Sequence, residues 1–144
     1  MDETLLDQLQ TDLSELFKTI DGYQDMTVKL SYEELPDITY PLVIIDELIN
    51  SDVDRYYDGK EHIIDVAYQI TILADQNEIY DAVDNVRNIR DIIKNYMRGE
   101  RYHALRRQNP QPIVPHPTDK NIRMGYMRYN GCINIDTNTI YRRN

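Results

Sequence analysis

Between His62 and Tyr96 the hydrophobic period of the chain changes once, and that change constrains the fold more than any other feature. From His62 to Ala74 the even positions Ile64, Val66, Tyr68, Ile70 and Ile72 are apolar, while Asp65, Gln69 and Thr71 punctuate the odd ones. This period of two belongs to a strand with one face on helices and the other partly solvated. Immediately afterwards Ile79, Val83, Val86, Ile89, Ile93 and Tyr96 recur at helical spacing, and the stripe ends near Arg98-Gly99. A long strand running straight into an amphipathic helix points to layers of sheet and helix.

The flanking segments extend this pattern. Leu5, Leu6, Leu9, Leu13, Leu16, Phe17 and Ile20 stripe a first helix, with Asp2, Glu3 and Asp7 where the helix dipole favours negative charge, and this helix ends near Asp21-Gly22. Val28, Leu30 and Tyr32 alternate in a short strand; Pro36 and Pro41 bound the next turn, and Leu42 to Ile49 is a richer strand. Pro110, Pro112, Pro115 and Pro117 forbid a long helix or a central strand, so 108–120 reads as an extended arm or covering loop. Asn130-Gly131 suits the tip of a type I′ hairpin, placing Arg128 opposite Ile133, Tyr126 opposite Ile135 and Met124 opposite Thr137. A last strand runs from Thr139 to Arg142. The expected fold is α+β: one domain over 1–144, an antiparallel sheet with two helices packed on one face, a long hairpin loop and a proline-rich arm.

Charge is divided along the chain. Residues 1–84 hold 21 acidic and 4 basic side chains and residues 85–144 hold 4 and 12, within a net charge of −9. Opposite signs on one compact domain can attract copies head to tail, and such a contact closes into a ring when the rotation per subunit permits. Net acidity argues against nucleic acid coating the whole surface, while the basic excess after residue 85 leaves a local patch open. The single Cys132 excludes an internal disulfide or a multi-cysteine zinc site. Neither an apolar run near 18 residues nor a basic-then-apolar leader is present, so a cytosolic chain without membrane contact is the expectation.

Catalytic patterns are weak. His62, His103 and His116 are scattered and lack a neighbouring nucleophile motif. Asp52, Asp54, Asp58 and Glu61 suggest a calcium loop but fail it, because Tyr56 and Tyr57 stand where a ligand and the turn glycine belong. Asp46 and Asp65, on neighbouring strands, are the one pair open to magnesium and nuclease chemistry; otherwise they are the solvent side of the sheet. No catalytic, metal or cofactor residue is therefore assigned. Interface chemistry is better represented. Residues 50–61 make a charged connection carrying Arg55, Tyr56 and Tyr57, and exposed aromatics flanked by charge are typical interface anchors. Arg98, Arg101, Arg106 and Arg107, with Tyr102, suit a salt-bridging surface toward a neighbouring subunit better than a phosphate clamp.

The leading helix, the Tyr40-Pro41-Leu42-Val43-Ile44-Ile45 strand, the long loop, the strand His62 to Ala74, the helix Asn77 to Arg98 and a closing Ile140-Tyr141-Arg142-Arg143 together resemble tailed-phage tail terminator, or tail-to-head joining, proteins. The resemblance implies a non-enzymatic subunit of a homo-oligomeric ring, a hexamer, in the virion neck. Its partners would be the tail tube protein and the head connector, with DNA only passing through an acidic channel. Arg142 and Arg143 join the expected interface residues on this basis. The alternatives are another neck adaptor or tail completion subunit, a small magnesium-dependent nuclease, and a monomeric host-interaction module.

Overall fold

The computed structural model describes residues 4–35, 37–50, 55–57, 61–99, 101–108, 111–134 and 136–141. Helix α1, Leu5–Lys18, starts on a capping box: the Thr4 hydroxyl accepts from the Asp7 amide and the Asp7 carboxylate accepts from the Thr4 amide. Leu5, Leu9, Leu13 and Phe17, four residues apart, all face inward and are buried. Strand β1, Thr27–Leu30, follows, then β2, Leu42–Asn50, then the short β3, Arg55–Tyr57, and the long β4, Glu61–Ala74. Helix α2, Ala82–Met97, is capped by the Asp81 side chain. It starts later than its stripe suggests because the Asn77 side chain accepts from the amides of Ile79 and Tyr80 and closes a turn there, leaving Ile79 exposed.

The second half adds β5, Arg106–Arg107; β6, Val114–Pro115; β7, Arg123–Asn134; and β8, Thr139–Tyr141. Among the described residues eight strands form one sheet, whose main path runs β1-β2-β4-β7-β5, with β3 paired to β4 and β6 and β8 paired to β7. All pairings are antiparallel except one: β1 runs parallel to β2, so the sheet is mixed where a purely antiparallel one was expected. The connection between β1 and β2 covers 31–41, which is long enough to carry the chain back to the same end of the sheet.

Both helices cover the face that bears Ile64, Val66, Tyr68, Ile70 and Ile72, so the alternation in β4 is read correctly from sequence. Val28 and Leu30 of β1, Val43 and Ile45 of β2, and Met127, Tyr129 and Ile133 of β7 complete that layer. A hydrogen-bonded group is buried within it. The Tyr23 hydroxyl donates to Asn85 Oδ1 at 2.7 Å and accepts from Asn88, while the Asn85 amide donates to the Asp75 carbonyl, fastening the chain after α1 to α2. On the opposite face Leu42, Leu73 and Ile122 form a smaller apolar cluster with Leu35, Tyr40, Ile44 and Met124 at one end of the sheet.

The expected hairpin at Asn130-Gly131 is not there. Strand β7 passes through both residues and pairs with β4 along its length, Asn130 opposite Ala67 and Gly131 opposite Val66. Glycine at 131 suits a close approach: a Cβ there would stand 3.0 Å from Leu105 Cδ2 and 3.3 Å from the Tyr141 carbonyl, tight enough that these neighbours would have to give. The faces change accordingly. Met124 and Tyr126 lie on the side away from the helices and Ile133 on the helix side, whereas pairing across a two-residue turn at Asn130-Gly131 would place Met124, Tyr126, Ile133 and Ile135 on one apolar face. The reversal comes instead around Asn138, with φ 57°, and leads into β8. Ile135 lies outside the described residues.

The outer edge of β7 is tiled by three short strands: β6 on Arg123 and Met124, β5 on Tyr129 and Asn130, and β8 on Cys132 to Asn134. The described part of the proline segment is thus a covering segment and not a free arm. Arg90 of α2 donates to the Gln111 carbonyl at 3.1 Å, Ile113 packs on the core, and the His116 amide donates to the Ile122 carbonyl. Among the described residues, covering β7 in this way leaves no long unpaired edge on that side.

Candidate interface and basic cleft

The basic residues after α2 divide into two settings. Tyr102, 1% exposed, is buried between α1 and the end of α2, and its hydroxyl donates to Asp12 Oδ2 at 2.6 Å. Arg101 donates to the same oxygen at 2.9 Å, and the Tyr96 ring lies 6.0 Å from that of Tyr102. Burial, then the hydrogen bond to Asp12, raises the Tyr102 pKa above the ordinary phenol range. Arg101, assigned from sequence to a subunit interface, is therefore occupied within the chain. The acidic and basic halves of the sequence meet in space at this point.

Arg98 and Arg107 have a different setting. Arg98 caps the C-terminus of α2, where positive charge is favourable, and Arg107 sits on β5, held against β7 by pairing with Tyr129. With Lys94, Met97, His103, Leu105 and Tyr129 they line an open cleft of about 270 Å³. Met97 and Leu105 are buried, so the walls are apolar below and the rim carries Lys94, Arg98 and Arg107. Tyr129 is 3% exposed, and among the described residues its hydroxyl has no hydrogen-bond partner. Its pKa is pushed up to about 12 by burial, against the opposing pull of Arg107 and Arg98. Among the described residues no carboxylate lies within ion-pair distance of Lys94, Arg98 or Arg107.

Arg106 is exposed beside Arg107 on β5. The backbones of Arg55, Tyr56 and Tyr57 form β3, opposite Ile63, His62 and Glu61, so the connection after β2 carries a strand that prolongs the β4 pairing. Their side chains lie outside the described residues, as do Arg142, Arg143 and the aspartates of the calcium-like stretch. The structure thus brings Arg98 and Arg107 together, leaves Arg106 beside them, and engages Arg101 elsewhere. Lys94 and Tyr129 were missed. Tyr129 occupies a helix-facing position of β7 that becomes visible only once Asn130-Gly131 is read as strand.

The nuclease pair does not assemble. Asp46 is opposite Gln69, four residues along β4 from Asp65, which separates the two carboxylates by roughly 14 Å along the strand, too far to share one cation. Asp65 instead accepts from Cys132 Sγ at 3.2 Å. Among the described residues no group of three or more metal-ligating side chains occurs, and no helix is long and apolar enough to cross a membrane. His103 lies at the basic cleft, and His116 Nδ1 accepts from the Thr118 amide at 3.2 Å.

At the other edge of the sheet, the segment after β1 forms a second cleft of about 530 Å³ with Tyr32, Glu34, Leu35, Ile38, Leu42 and Ile44 in its lining. Tyr32 and Ile38 are 72% and 63% exposed, and Glu34 between them is also exposed. Glu33, by contrast, is used internally, accepting from Gln10 and the Leu30 amide. In comparison with known proteins, no family model and no curated protein matches the chain.

Proposed function

We propose that this chain is the repeating structural subunit of a homo-oligomeric ring, about six-fold, in the neck of a tailed phage, where it acts as the tail terminator that caps the tail tube and joins it to the head connector. The observation that carries the ring is the chemical difference between the two edges of the sheet. The β1 edge presents Glu34 among exposed apolar side chains, and the β5 edge presents Arg98, Arg106 and Arg107. Unlike surfaces at opposite ends of one subunit favour a head-to-tail contact, which closes into a ring if the rotation allows. The terminator role rests on the resemblance in element order, and the β3–β4 pair prolonging the central strand supports it by supplying an extension toward an adjoining ring. Partners on this reading are further copies of the chain, the tail tube protein and the connector, with DNA only in transit. The assembly site is the host cytoplasm and the final location the virion.

Native mass spectrometry and electron microscopy of the purified protein, alone and with tail tubes, test it. Rings of about six subunits, free or templated on tubes, are expected, and raising salt to about 1 M, where the Debye length is near 3 Å, weakens them. Monomers under both conditions overturn the reading.

A further inference from the structure

Among the described residues, the Tyr129 phenol is the one buried side-chain polar group without a hydrogen-bond partner. A buried hydroxyl without a partner is destabilising, and phenylalanine would fill the same position without that cost. Around it stand Lys94, Arg98 and Arg107, with no carboxylate among the described residues within ion-pair distance of them, over walls of Met97 and Leu105. A neutral phenol can donate one hydrogen bond, guanidinium groups can hold an oxyanion at two points, and the apolar wall favours a carbon stem over bare phosphate. The chain already builds one such arrangement internally, with Asp12 receiving Tyr102 and Arg101.

We infer that the cleft between the end of α2, β5 and β7 is a receptor for a carboxylate on an aliphatic stem, an acidic side chain of a second copy of this chain, with the Tyr129 hydroxyl donating to it and Arg98 and Arg107 balancing its charge. The matching group is Glu34 on the β1 edge, an exposed carboxylate between Tyr32 and Ile38 at the opposite end of the sheet. The identity of the donor copy rests on the ring reading. The chemistry of the cleft does not.

Two measurements on the full chain separate these parts. In the first, glutarate and inorganic phosphate are titrated into the protein and followed by amide NMR shifts. Glutarate is expected to saturate shifts around Leu105, Arg107 and Tyr129 and to bind more tightly than phosphate. Tyr129→Phe should weaken glutarate at least about fivefold while thermal stability stays equal or rises, and the double change Arg98→Gln, Arg107→Gln should weaken it at least about tenfold. Absence of saturation, a preference for phosphate, or unchanged binding in Tyr129→Phe overturns the carboxylate receptor. In the second, self-association is measured by sedimentation. Glu34→Gln and the double arginine change should each weaken it at least about tenfold, and Glu34→Arg should be rescued by Arg107→Glu. Glutarate binding together with association indifferent to Glu34 overturns the second copy's Glu34 as donor and leaves the cleft intact; glutarate binding without any oligomer overturns the ring alone.

Discussion

Two tyrosines of this fold are buried beside arginines, and they end differently. Tyr102 reaches a carboxylate of its own chain, Asp12, which Arg101 also binds; Tyr129, equally buried and near Arg98 and Arg107, reaches none among the described residues. The difference is one of neighbours. Tyr102 is packed against α1, an acidic helix, whereas Tyr129 is buried on the helix-facing side of β7 beside Arg98 and Arg107, which have no carboxylate among the described residues within ion-pair distance. The first cluster joins the two charge-opposed halves of the chain, and the second holds a buried phenol and arginines with no partner carboxylate among the described residues.

The comparison breaks most visibly at Asp12. Asp12→Ala strands the buried Tyr102 hydroxyl and releases Arg101, and should lower unfolding stability by about 2–3 kcal/mol in a urea titration, most of it from the unsatisfied phenol because the exposed arginine is screened. A loss below about 0.5 kcal/mol would mean that the internal cluster holds nothing, and the contrast with Tyr129 would fall.

High pH tests the open cluster. The folded pKa of Tyr129, about 12, lies above the ordinary phenol value near 10, so its neutral form is favoured by folding. The corresponding stability is complete below pH 10 and is lost as pH rises through about 12. Wild type should therefore lose on the order of 2 kcal/mol more than Tyr129→Phe across that window, read as urea midpoints at successive pH values. Parallel curves for the two proteins would show that Tyr129 ionises as freely folded as unfolded.

What could be read ahead of the structure follows the same division between local and distant causes. The alternation of Ile64 to Ile72 and the stripes of α1 and α2 are local, period-driven signals, and they placed the helices and the buried face of β4. Asn130-Gly131 misled because a turn and a close approach both call for glycine, and only the neighbouring Leu105 and Tyr141 decide which applies. The parallel β1–β2 pair was equally hidden, since a short strand carries no mark of its partner's direction. For the candidate site, the arginines were legible as a run, but which of them faces a carboxylate depends on α1, about ninety residues away in sequence. The cleft at Tyr129 depends on the strand that had been read as a hairpin.

Removing the hydroxyls alone sharpens the contrast at smaller cost. Tyr102→Phe deletes a donor that has an acceptor and should cost about 1 kcal/mol, whereas Tyr129→Phe deletes one that has none and should be neutral or stabilising. Equal losses in thermal or urea unfolding would place an acceptor at Tyr129 within the isolated subunit.

The smallest effects belong to the arginines. Arg101→Gln removes one side of a partly exposed pair whose carboxylate retains Tyr102, so its cost should stay below about 0.5 kcal/mol and fade as salt rises. Arg107→Gln removes a cation that has like charges for neighbours in the cleft and no described carboxylate, so at low salt it should leave stability unchanged or raise it slightly. The opposite signs matter more than the sizes. Measured as urea midpoints at two ionic strengths on subunits kept dilute enough to remain monomeric, a stabilising role for both arginines would mean that the cleft already holds a carboxylate from its own chain, and the distinction between a filled and an open cluster would be lost.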